Sequence, residues 1–142
     1  RVVRLFVFDP KVAFVSHSTF GQPVTSRTKH IKKAVDILKE KNVNFEFDGD
    51  MQPDVALNKE YKNLYPFSNI VGNANILIMP GQHSATISYK MMKELGDTKV
   101  IGPLLIGLGL PIEIAPLRTS TSELINLASI AAYSADIIDY KK

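Results

Sequence analysis

KVAFVSHSTFGQPVTSRTKHIKKAVDILKE, residues 11–40, carries the fold in outline. Lys11 to Ser16 is a short β-branched and aromatic run, the pattern of a buried strand. His17 to Ser26 is a loop, broken at Gly21 and Pro23. Beyond it Ile31, Ala34, Val35 and Leu38 recur at i, i+3, i+4 and i+7, one apolar face of a helix. Thr25 and Ser26 are both candidates for its N-cap, and Lys39 and Lys41 place positive charge where the helix dipole favours it.

The same alternation continues downstream. Val43 to Phe47 (VNFEF) reads as a second strand, followed by a turn at Asp48-Gly49-Asp50. Pro53 is suited to start a short helix with Val55, Ala56 and Leu57. Residues 65–74 (YPFSNIVGNA) read as loop. Ile76 to Met79 (ILIM) is a third strand, stopped by Pro80-Gly81. Ile87, Met91 and Leu95 mark the face of the next helix, which Gly96 closes. Lys99 to Ile101 and Pro111 to Ala115 are expected as fourth and fifth strands. Ser120 and Glu123 fit a capping box before a last helix with Leu124, Leu127, Ala128 and Ala131 on one face. Apolar strands alternating with helices predict an α/β fold in three layers, a largely parallel sheet flanked by helices.

Composition narrows the function classes. In 142 residues, 45% are hydrophobic and 22% charged, a globular balance that excludes a disordered, collagenous or coiled-coil chain. There is no Cys, hence no disulfide framework and no thiolate nucleophile or metal ligand. The longest apolar run, Val100 to Ile112, is short and interrupted by Gly and Pro, unlike a membrane helix. A net charge of +3 is a solvated surface rather than a nucleic-acid footprint, and the basic residues Lys29, His30, Lys32 and Lys33 are read the same way. Arg1 to Pro10 carries neither an initiator Met nor a cleavage site, which suggests a piece of a longer chain.

Two strand-to-helix junctions are candidate sites. Ser16, Ser18, Thr19 and Gly21 follow the first strand, where free backbone N–H groups and hydroxyls suit a phosphate or acyl ligand. His83 and Ser84 follow the third. In an open parallel sheet, ligands bind beyond the carboxyl ends of strands, so the two junctions can share one crevice. The alternative for each is turn and capping chemistry. Asp48, Asp50 and Asp54 lack the alternation of a Ca²⁺ loop, and His17, His30 and His83 lack metal spacing. No metal site and no catalytic residue is assigned.

The blocks VAFVSHSTFG, FDGDMQPDVALN, ANILIMPGQHSATISYK, IGPLLIGLGLPI and SELINLA occur in a fixed order that resembles the carboxyl-terminal half of phosphate acetyl/butyryltransferases. The resemblance is closer to the phosphotransacetylase-like domain ending the large bacterial NADP-dependent malic enzymes. It covers about residues 11–135, which makes 11–142 one lobe of a two-lobed fold and 1–10 a poorly matched leader. It implies an acyl-CoA cleft, for which Tyr89, Lys90, Arg118 and Glu123 join the candidates as ligand-binding residues. Tyr89 is equally read as core packing.

The family's transferases carry a Ser-Arg pair before the terminal helix and an Asp at its start. Anchored on Asn126-Leu127-Ala128, the alignment puts Pro116-Leu117 on the Ser-Arg pair, Arg118 on the next glycine and Glu123 on the Asp. A slip of one residue returns Arg118 to the Arg position. Beside the plain reading of a scaffold lobe that only dimerises, two functions stay open. One is a non-catalytic regulatory domain that binds acetyl-CoA and self-associates as a homodimer or larger homo-oligomer. Its parent would be a cytoplasmic malic enzyme whose upstream domain uses NADP and a divalent metal. The other is an active phosphate acetyltransferase. Neither involves nucleic acid or a membrane.

Overall fold

The computed structural model describes residues 9–96 and 98–139. The chain divides into two compact units, residues 1–88 and 89–142. The first holds a three-stranded sheet built from β1 (Lys11–Val15), β2 (Glu46–Met51) and β3 (Ile76–Ile78) in the order β2-β1-β3. Both pairings are parallel, as the alternation predicts. Helices are α1 (Ser26–Glu40), α2 (Pro53–Leu57), α3 (Lys59–Lys62), α4 (Gln82–Leu95) and α5 (Thr121–Asp139). The chain leaves β1 to one side for β2 and returns past it to β3.

Local chemistry sets these boundaries. Thr25 caps α1, its Oγ1 accepting from Thr28 N at 3.2 Å while Thr25 N donates back to Thr28 Oγ1 at 2.8 Å. Such a cap is worth about 1 kcal/mol. Pro53 occupies the first turn of α2, whose Val55 and Ala56 enter a core with Ala13, Met51, Ile70 and Ala74. At the start of the sheet, Lys11 N donates to Asn75 Oδ1 at 2.8 Å and Glu46 Oε2 accepts from Val71 N at 2.7 Å, tying the loop before β3 to β1 and β2.

β2 departs from expectation. It begins at Glu46 rather than Val43 and runs through Asp48-Gly49-Asp50, which is strand and not turn. Asp48 and Asp50 are both buried, and backbone donors make that tolerable: Asp48 accepts from Gly49 N at 2.9 Å and Asn69 N at 2.7 Å. Phe14 pairs with Gly49 but Val15 with Met51, so Asp50 is the extra residue of a bulge. A bulge re-aims one side chain of a strand, here the Asp50 carboxylate.

In the second unit α4 closes at Gly96, whose N–H donates to Met92 O at 3.1 Å. The expected strands at Lys99–Ile101 and Pro111–Ala115 are not formed; the segment makes one isolated antiparallel bridge, Leu104 to Glu113. Apolar content alone does not make a strand without a neighbour to receive its N–H and C=O groups. α5 starts as the capping box predicts, with Ser120 N donating to Glu123 Oε2 at 2.7 Å and Glu123 N to Ser120 Oγ at 3.3 Å. Among the described residues, no helix is long and apolar enough to cross a membrane.

Gly49 is the tightest point of the sheet. Its φ is +152°, and a Cβ there would lie 2.7 Å from Phe14 Cβ and 2.8 Å from Phe14 O. Gly49→Ala should cost about 2–3 kcal/mol in urea unfolding, from backbone strain and overpacking together. A loss under about 0.5 kcal/mol would show that β1 and β2 are not packed this closely.

Candidate ligand-binding site

β1 and β3 lie side by side and parallel, so the two sequence-chosen junctions emerge at the same edge of the sheet. After β1 the chain folds over the end of β2. Ser16 N donates to Met51 O at 2.9 Å and Phe20 N to Asp50 O at 2.6 Å. The bulged Asp50 carboxylate accepts from Ser18 Oγ and, at 3.0 Å, from Gly21 N. Thr19 Oγ1 accepts from Gln52 N at 3.3 Å. Ser16, Ser18 and Thr19 are buried, so this part of the predicted cradle spends its polar groups on holding the loop to β2. Phe20 takes a left-handed φ of 49°, and its ring lies 4.8 Å from Phe67 and 5.4 Å from Tyr65. Gly21 is the open point, with nothing within 4 Å of its Cβ position. After β3, Ser84 Oγ donates to Gly81 O at 2.8 Å, a side-chain bond back onto the first turn of α4, and His83 is exposed.

Beside this loop, a trough of about 520 Å³ is lined by Lys29, Lys32 and Lys39 of α1 but also by Asp36, Asp48 and Asp50. Three cations face three carboxylates, so the trough selects neither sign of charge.

The second unit contains a different kind of cavity, about 300 Å³ in volume. α4 contributes Tyr89, Lys90, Lys93 and Glu94; α5 contributes Glu123, Asn126 and Leu127. Between them lie Val100 to Gly102 and the turn Pro116–Thr119, held by Thr119 N donating to Pro116 O at 3.0 Å. Tyr89, Lys90, Arg118 and Glu123, four of the ten sequence candidates, thus line one cavity. The other six belong to the first unit. Lysines 90 and 93 and Arg118 outnumber Glu94 and Glu123, so this cavity favours an anion. Among the described residues neither Lys90 nor Arg118 makes an ion pair.

Lys93 was not among the sequence candidates. Its Nζ lies 2.9 Å from Glu123 Oε1, while Glu123 Oε2 accepts from Ser120 N and, at 2.9 Å, from Ser120 Oγ. The hydrogen bond from Lys93, then those from Ser120, draw the Glu123 carboxyl down to about 2, and the pairing raises the Lys93 ammonium in turn. The available signal was spacing: Lys93 lies three residues after Lys90 and four after Tyr89, one helical turn along the same face.

In the loop before α5 Leu117 is fully exposed. Arg118, not Leu117, is the residue of this loop that reaches the cavity as a cation.

Two outcomes follow. Ser18→Ala leaves a buried Asp50 oxygen without its donor and should cost about 1–3 kcal/mol in chemical unfolding; an unchanged midpoint would mean the bond is not formed. A carboxyl lowered on folding stabilises the native state above its ordinary value of 4.5, and that contribution is lost as pH falls through about 2. Glu123→Gln should therefore be less stable than the parent sequence at neutral pH, with the gap closing from pH 4.5 towards 2. A gap independent of pH would contradict the ion pair.

Comparison with known proteins gives concordant matches. The family description "Phosphate acetyl/butaryl transferase" matches residues 1–132, which includes residues 1–10. An NADP-dependent malic enzyme of Rhizobium meliloti is 50% identical over 128 residues, covering 90% of this chain and 17% of that protein. A phosphate acetyltransferase of Clostridium acetobutylicum is 34% identical over 128 residues, covering 89% and 38%. The crystal structure of a phosphotransacetylase from Streptococcus pyogenes superposes with a TM-score of 0.84 at 31% identity, covering 94% of this chain and 41% of that one. The chain therefore spans under half of each relative, and under a fifth of the malic enzyme.

Proposed function

Because this chain belongs to the phosphate acetyl/butyryl transferase family, we propose that it is the regulatory, acetyl-CoA-binding and self-associating domain of a cytoplasmic NADP-dependent malic enzyme. Malate oxidation to pyruvate and CO₂ then belongs to the upstream remainder of that protein. The residues here do not fit the cofactors of that reaction. The sequence has no G-x-G-x-x-G for NADP, and among the described residues no three metal-donor side chains cluster. NADP and a divalent metal are assigned to the upstream domain.

The observation that carries the reading is the state of Glu123. In the direction that forms acetyl-CoA a base must take the proton of the CoA thiol, and here both Glu123 oxygens are engaged, Oε1 by Lys93 Nζ at 2.9 Å and Oε2 by Ser120 N and Oγ. The same reaction builds negative charge on the carbonyl oxygen, and a preorganised donor there is worth about 10²–10³ in rate. Pro116 has no backbone N–H and Leu117 no polar group. Binding rests on other groups. Lys90 and Arg118 supply unpaired cations for phosphate oxygens, and Tyr89 supplies a hydroxyl and a ring face. A cavity of about 300 Å³ takes part of a CoA molecule rather than all of it. In the first unit Ser16, Ser18 and Thr19 are turned to the protein interior and Ser84 bonds back to Gly81, which leaves His83 and Gly21 open.

Self-association is supported by unburied apolar surface. In the second unit Ile106, Leu110 and Leu117 are each more than two-thirds exposed, and Leu127 alone is buried among its described large hydrophobic side chains. A second copy is the proposed cover. The alternative reading, an active phosphate acetyltransferase, draws on the 34% identity to one and on Arg118 under the shifted alignment.

Two measurements decide between them. The full-length protein should form no acetyl phosphate from acetyl-CoA and phosphate; turnover abolished by Arg118→Ala would establish the enzyme reading. Calorimetry should show acetyl-CoA binding that weakens about three- to tenfold in Lys90→Ala, with the loss shrinking as salt is raised. An unchanged affinity would remove Lys90 from the site.

A further inference from the structure

Resting on that reading, we infer that Lys93 is a phosphate-binding cation held in reserve by Glu123, so that the site admits phosphate esters and excludes simple carboxylates. Lys93 and Glu123 both line the cavity, on facing helices, and their side chains remain partly exposed to it. The ammonium carries three donors, and its recorded acceptor is Glu123 Oε1 at 2.9 Å. Lys90 stands one turn before it on α4 and Arg118 precedes α5, so three cations border one small volume.

Glu123 makes the selection. An entering anion competes with a carboxylate already in contact with Lys93. An incoming monocarboxylate replaces like with like and gains nothing at that position. A phosphate dianion brings more charge and more acceptor oxygens, and can bridge Lys93 with Lys90 or Arg118. When Lys93 turns to the ligand, Glu123 keeps its two Ser120 bonds, so the start of α5 stays capped. The glutamate thus acts as a counter-ion that ligand displaces, not as a ligand contact.

The test is a double-mutant cycle in the full-length protein, read by calorimetry with acetyl-CoA, inorganic pyrophosphate and acetate as probes. Glu123→Gln is the key variant, since glutamine still serves in a capping box. It should tighten acetyl-CoA and pyrophosphate binding about two- to fivefold, the range expected on freeing one partly exposed ion pair. Lys93→Ala should weaken both, and Glu123→Gln should bring no gain in the Lys93→Ala background. Acetate should bind weakest of the three. Unchanged or weaker pyrophosphate binding in Glu123→Gln would overturn the inference, as would an equal gain without Lys93. If pyrophosphate behaves as stated but acetyl-CoA does not bind, the reserve cation stands and the acetyl-CoA reading fails. If none of the probes binds either protein, both fall.

Discussion

The close approach of β2 to β1 at Gly49 is the constraint on which the first unit depends. Only a residue without a Cβ lets the backbone pass against Phe14. The strand then bulges by one residue, and the bulge turns Asp50 towards the loop after β1. One buried carboxylate thereby fixes Ser18 and Gly21, and the loop fixed in this way brings Phe20 to Tyr65 and Phe67. Removing the contact at Gly49 would release the strand pairing, the bulge and the loop together.

In the second unit a carboxylate again does the organising, in a more exposed setting. Glu123 completes the cap of α5 through Ser120 and holds Lys93 of α4 across the cavity. A group drawn to about 2 stays charged throughout the physiological range. It is therefore a fixed electrostatic element and not a proton carrier.

Much of this was legible in the sequence. The strand at Lys11, the caps at Thr25 and Ser120, the proline start of α2 and the Gly96 closure are all local chemistry, and local chemistry is written in neighbouring residues. β2 was misplaced because Asp48-Gly49-Asp50 has the composition of a turn; its strand identity depends on Asn69 and the loop after β1, which are remote in sequence. The strands expected at Lys99 and Pro111 failed for the complementary reason, since pairing partners are invisible to an apolar run. Tyr89, Lys90, Arg118 and Glu123 came from family resemblance, and the cavity does gather them. The inward-facing hydroxyl of Ser18 is not foreseeable, because its acceptor Asp50 lies in a stretch with the composition of a turn.

The account's central claim is that ligand is held by the cations of the second unit. Its most direct measurement is a titration of isotopically labelled protein with acetyl-CoA, following backbone amides and the Arg118 guanidinium by nuclear magnetic resonance. The account predicts the largest shifts at Tyr89, Lys90, Lys93 and Arg118. Shifts confined to residues 16–21, or none at saturating acetyl-CoA, would contradict it.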